Sequence, residues 1–337
     1  DAATPRRRPH LPPARALLPL AEYASLPVTR IRGAQRLFTA VGQHDLYLSL
    51  TLAAHNTADP RRATHLVSVA QEGCHAFLDA APSDPLCRIP SADFRPWLRY
   101  HLHLPIADSP NPAVRYGDAA IDACAHGHRH TLVLTAWHHA AIAAYGAAVT
   151  HREPPDYAEF SPGYRPDLAV EGGGRGGDLL LLDTKVGSPY VASLTVEERG
   201  RAAHVAFAGT AERHVTAVLG RAQRGEPGDG PHDFATGAGY VSVKKADYDG
   251  ALQRAVEVRP LIHETYGGFY RTSSRTLREM AGVYAARQAG SAGGRRARTF
   301  RSFHRQRISC ALAKGLAFEL RHGMRVLRAR GVAGGCA

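Results

Sequence analysis

The chain has 337 residues, 44% of them hydrophobic, which is ordinary for a globular protein and enough for one large domain or two of common size. Lysine and arginine number 42 against 30 acidic residues, a formal charge of +12 that suits a polyanionic partner and predicts salt-sensitive binding. Five scattered cysteines exclude a disulfide framework and point to a reducing, intracellular compartment. No stretch approaches the ~20 apolar residues of a membrane span, and the basic start has no signal-peptide core.

Residues 1–30, rich in Pro and Arg, are expected to be a disordered basic lead-in. The chain opens on Asp1 without a methionine and is expected to be a fragment or one part of a larger product. Residues 31–110 read as a helical region. Leu37, Val41, Leu46 and Leu50 allow one or two helices, and Asp59-Pro60 starts another, since Asp caps and Pro suits the first turn. Its apolar stripe would be Leu66, Val69, Ala70, Cys74, Phe77 and Leu78, with Cys74 as core rather than ligand. Ser91 is placed to cap a short helix that Pro96 restricts. The breakers Asp108-Ser109-Pro110-Asn111-Pro112 mark a domain boundary.

Cys124, His126, His128 and His130 are zinc ligands by type, but no CxxC partner precedes them, so a polar turn is the favoured reading. A helix follows over about 131–148, with Leu132, Ala136, His139, Ala140 and Ala143 on one face. Residues 147–152 form a candidate first strand ahead of Glu153. Then Tyr164 to Val170, a glycine-rich loop over 171–177, and Asp178 to Val186 read as a hairpin. Its second strand is almost wholly apolar until Asp183, as in a strand buried on both faces. Alternation puts Asp183 and Lys185 on one side, and hairpin pairing brings Asp167 beside Asp183. Carboxylate oxygens are the ligands a hard cation such as Mg²⁺ or Mn²⁺ prefers, and a lysine beside them can orient or help deprotonate a water, or steady a charged transition state. The plain alternative is a hairpin carrying an Asp183–Lys185 salt bridge. Downstream come a helix over 194–219 with a capping box at Thr195, a Gly/Pro loop, and a short helix over 246–255 carrying Tyr248. A strand over 256–263 follows, then a helix capped by Ser273 or Ser274. The last helix, from about Thr299, places Ile308, Leu312, Leu316, Leu320, Met324 and Leu327 on one side.

Pro166-Asp167 and Asp183-Thr184-Lys185, sixteen positions apart in the aspartates, resemble the PD-(D/E)xK nuclease superfamily. The resemblance implies an α/β fold: a restriction-endonuclease-like αβββαβ core at 131–290, with flanking helices and the helical N-terminal region. Further stretches are similar to the C-terminal region of non-LTR retrotransposon-type reverse-transcriptase reading frames of algae and other protists. They are Gly73 to Ser83, Ser91 to Leu102, Gly117 to Cys124 with His130, Pro260 to Phe269, and Gln306 to Ser309. In such elements this domain nicks target DNA so that reverse transcription can start. Related elements carry a zinc knuckle opened by a CxxC-like pair. Here Asn111-Pro112-Ala113-Val114 stands in that place, so 111–130 reads as a degenerate knuckle turn in which only Cys124 and His130 remain as candidate zinc ligands.

The resemblance implies a metal-dependent DNA endonuclease, nuclear if the source is eukaryotic, with DNA and element RNA as partners. Asp167 and Asp183 would hold the metal, Glu153 would be a further acidic ligand, and Lys185 would position the attacking water. Arg295, Arg296, Arg298, Arg301, Arg305 and Arg307, opening the basic C-terminal helical segment 291–337, are the candidate phosphate contacts. A catalytically decayed nucleic-acid-binding remnant is the competing reading, and a resolvase or repair nuclease of the same fold a weaker third.

Overall fold

In the computed structural model, residues 49–50, 53, 60–80, 84–124, 127–155, 165–188, 248, 250–251, 254, 256–289 and 297–331 are described. Four strands form one mixed sheet in the order β1 (Thr150–Arg152), β2 (Leu168–Val170), β3 (Leu180–Gly187) and β4 (Glu257–Glu264). The pairs β1–β2 and β2–β3 are antiparallel, and β4 lies parallel to β3, with Leu180 opposite Glu257. The apolar run that opens β3 is buried on both faces of the sheet, as its composition predicts. Leu180 and Leu182, with Leu168 and Val170 of β2, pack into the larger core. Leu181 and Ala169, on the alternate face, pack with Tyr248, Ala251 and Val258.

Seven helices are described: α1 (Pro60–Val69), α2 (Ser91–His101), α3 (Pro112–Arg115), α4 (Asp118–Asp122), α5 (Gly127–Tyr145), α6 (Arg271–Arg287) and α7 (Ala297–Ala329). The larger core joins Val133, Leu134, Trp137 and Ala140 of α5 to the sheet, to Leu277 and Met280 of α6, and to Ile308 and Leu312 of α7. A second core gathers Trp97 and Tyr100 of α2, Ala120 and Ile121 of α4, and Leu316, Leu320, Met324 and Leu327 of α7. The stripe expected on the last helix is therefore buried as a whole, but it serves two cores, and α7 is a spine rather than an appended basic tail.

Several local expectations differ from the structure. Helix α1 begins at Pro60 but ends at Val69, before a turn in which Gly73 has φ +95°. Its buried residues include Thr64, His65 and Ser68, while Leu78 is 69% exposed. Ser91 is the first residue of α2 rather than its cap, and Pro96 sits inside the helix. Helix α5 starts four residues earlier than expected, and Arg129 in its first turn is buried with its guanidinium 3.4 Å from Glu319 of α7. Neither Ser273 nor Ser274 caps α6. Tyr270 stands at that cap, and the Ser273 hydroxyl donates instead to the Ile262 carbonyl at 2.9 Å. The segments expected at 1–30 and 194–219 lie outside the described residues. Among the described residues, no helix is long and apolar enough to cross a membrane.

Candidate active site

The antiparallel register builds the site. Leu168 faces Leu182, the last pair of β2 with β3, and the chain places Asp167 just beyond it, next to the strand position of Asp183. Both aspartates are buried, at 8% and 4% exposure. Lys185, two residues along β3, meets Asp183 Oδ2 with its Nζ at 3.1 Å, and about a third of its side chain (32%) stays exposed. Two carboxylates and one ammonium thus converge where the hairpin meets the parallel pair.

Each acid has a support. The Thr184 backbone N–H donates to Asp167 Oδ2 at 2.5 Å. His130 Nε2, from the first turn of α5, lies 3.1 Å from the same oxygen. This bond raises the His130 pKa, against the opposing pull of burial. The buried Tyr248 hydroxyl donates to Asp183 Oδ1 at 3.1 Å. Burial pushes the Asp183 carboxyl up to about 6; Lys185 opposes this and the neighbouring Asp167 charge reinforces it. A carboxylate held this reluctantly as an anion is one that a bound cation would relieve.

His130 and Tyr248 are the supports that sequence reading did not assign. His130 entered the sequence reading as a candidate zinc ligand within a polar turn, and its Nε2 lies 3.1 Å from Asp167 Oδ2. Cys124 is buried, 7% exposed. Tyr248 lies 65 positions from Asp183, and no spacing rule reaches across that distance.

Glu153 is also in line. Arg152 faces Leu168, so Glu153 comes opposite Asp167, and its N–H donates to the Asp167 carbonyl at 2.9 Å. Its backbone is left-handed, φ +44°, and its exposed carboxylate lies 3.5 Å from Arg152 Nε. Glu153 thus supports Asp167 through its backbone, and its carboxylate does not complete the expected set. Among the described residues, no three His, Cys, Asp or Glu side chains form a metal-holding group.

The arginines expected to contact phosphate divide. Arg295 and Arg296 lie outside the described residues. Arg305 pairs with Glu72, and Arg307 Nε pairs with Asp84 Oδ2 at 2.7 Å while lying over the Phe303 ring. These two tie α7 to the segment after α1, so their charge is already answered within the chain. Arg298 and Arg301 line a cavity of about 460 Å³ together with Glu72 and Asp79, a mixed-charge surface. No protein-family model matches the chain, and neither the curated proteins nor the solved structures give a match.

Proposed function

We propose that the chain is a divalent-metal-dependent DNA endonuclease of the PD-(D/E)xK kind, acting at Asp167, Asp183 and Lys185. One observation carries the reading: Asp167 accepts from the backbone N–H of Thr184, next to Asp183, and the Lys185 ammonium lies 3.1 Å from Asp183. The strand order, with α5 packed against the sheet and β4 parallel to β3, supports a restriction-endonuclease-like core. The donor set fits Mg²⁺ or Mn²⁺, hard cations that take carboxylate oxygens and keep several waters. Asp167 and Asp183 would hold the ion, which when bound polarises the scissile phosphate and its attacking water.

The protein's own groups do the rest. Tyr248 and His130 fix one oxygen of each acid, so the remaining carboxylate oxygens are set before substrate arrives. The part-exposed Lys185 ammonium is placed to orient a water and to steady the charge that gathers on phosphate oxygens in the transition state. In a supercoiled-plasmid assay, wild-type protein should nick with Mg²⁺ or Mn²⁺ and not with EDTA. Lys185→Ala should lower the rate about 10²–10³-fold, the usual cost of removing one positioned charge, while calorimetric metal binding persists. Asp183→Ala should lose both. Metal-independent nicking, or none by the wild type, would sink the proposal. The position of Glu153, whose carboxylate turns to Arg152, favours one competing reading: a decayed nucleic-acid-binding remnant left with two acids.

A further inference from the structure

An open groove of about 300 Å³ lies between helices α2 and α7, with Ile106 beside them, lined by Ala92, Arg95, Pro96, Arg99, Ile106, Arg321, Met324, Arg325 and Arg328. Five of these nine residues are arginines, and no carboxylate lines the groove. They form two ladders. Arg95 and Arg99 are spaced i, i+4 on α2, and Arg321, Arg325 and Arg328 are spaced i, i+4, i+7 on α7. Each spacing keeps the side chains on one helix face. The groove floor, from Pro96, Ile106 and Met324, is apolar.

Like charges at these spacings repel, so the arrangement costs stability unless something answers it. Within the chain the answer is partial. Arg321 Nε pairs with the buried Asp93 at 2.7 Å, and Arg99 Nε donates to the Pro105 carbonyl at 2.6 Å. These contacts hold two guanidinium groups in place as much as they neutralise them. Arg95 and Arg325 are exposed at the groove's two sides. The mixed-charge cavity lined by Arg298, Arg301, Glu72 and Asp79 has no such excess.

We propose that this groove is a binding site for the phosphodiester backbone of a nucleic acid, separate from the carboxylate site on the sheet. Planar guanidinium forks match phosphate oxygens and stack on flat groups, and arginine is the usual residue for that task. Seven helical residues at 1.5 Å each make the α7 ladder about 10 Å long, which spans about three phosphates of a strand that rises 3.4 Å per charge. Side chains on two rigid helices hold that spacing better than a loop would. The inference rests on nucleic acid as the partner, and it does not require that the chain cut.

The test is fluorescence anisotropy with a labelled DNA duplex, a single strand and an RNA of the same length, in EDTA, across a salt series. Arg95→Ala/Arg325→Ala is compared with Arg278→Ala, an exposed arginine on α6. The double variant should bind at least tenfold more weakly, and the slope of log K against log salt should shrink by about two, near one per lost phosphate contact. The control should match the wild type, and matching melting temperatures exclude misfolding. An unchanged affinity and salt slope in the double variant overturns the groove, whether or not the wild type nicks plasmid. Tight wild-type binding that the double variant loses, with no metal-dependent nicking, keeps the groove and overturns the nuclease. No wild-type binding to any of the three probes at low salt overturns the groove as well.

Discussion

At Asp183 burial and function pull against each other. Its carboxyl is pushed up to about 6 from an ordinary 3.8, mainly by burial. Between those two values the folded chain holds a proton that the unfolded chain releases, so stability falls as pH rises through the window and the loss is complete above it. At pH 8 without metal the charge should cost on the order of 3 kcal/mol. Asp183→Asn should therefore melt above the wild type at pH 8 in EDTA, with the gap closing below pH 4. Magnesium should then stabilise the wild type by mass action and leave the Asn variant unmoved. A lower melting temperature for the variant at pH 8 in EDTA would mean that the Lys185 ion pair outweighs the burial. The acids and Lys185 were legible because strand alternation and hairpin pairing are local rules. His130 and Tyr248 were not, because their bonds to the acids are set by where α5 and the segment around residue 248 come to rest.

At the scale of elements, glycines in helices separate propensity from packing. A glycine inside a helix normally costs about 1 kcal/mol relative to alanine, so propensity alone marks Gly282 and Gly323 as sites to improve. At Gly282 on α6 an added Cβ meets nothing within 4 Å. At Gly323 on α7 it would lie 1.8 Å from the Ala120 carbonyl oxygen, because α4 crosses there backbone to helix. We expect Gly282→Ala to stabilise by about 0.5–1 kcal/mol and Gly323→Ala to destabilise by about 3 kcal/mol, as overpacking against backbone does. Chemical denaturation of the two variants checks the opposite signs, and equal signs would contradict the packing of α4 on α7. The apolar stripe of α7 was readable from its 3–4 spacing. That it is shared between two cores was not, because periodicity reports which face is buried and not against what. The serine cap expected for α6 failed for a related reason: Ser273 has a partner in the Ile262 carbonyl, which only tertiary structure brings near.

The whole molecule carries two opposed sets of displaced protons. Burial raises the carboxyls of Asp183, Glu319 and Glu264 to about 6, 7 and 8. Burial also lowers His101 and His263 to about 3, and lowers His65, His138 and His139. The carboxyl set loses its contribution as pH rises toward 8, because the folded state then gives up protons that the unfolded state has already lost. The bond to Asp167 makes His130 lose in the same direction above its ordinary 6.5. The lowered histidines act the other way, stabilising above 6.5 and losing that as pH falls toward 3. Metal-free protein should therefore be most stable on the acid side of neutrality, between about pH 5 and 6.5. Melting temperatures from pH 4 to 9 check this, and a steady rise to pH 9 would show that the buried carboxyls are not protonated.

Helix α7 has a consequence for how the chain is made. It follows every other described element in sequence, yet it supplies a wall to both cores. A chain emerging from the ribosome grows from its N-terminus. The apolar faces of α2, α4, α5 and α6 must then wait, unclosed, until the residues after 297 have been synthesised. Until then those faces are open to chaperones and to misassociation, and both cores close together once α7 has emerged.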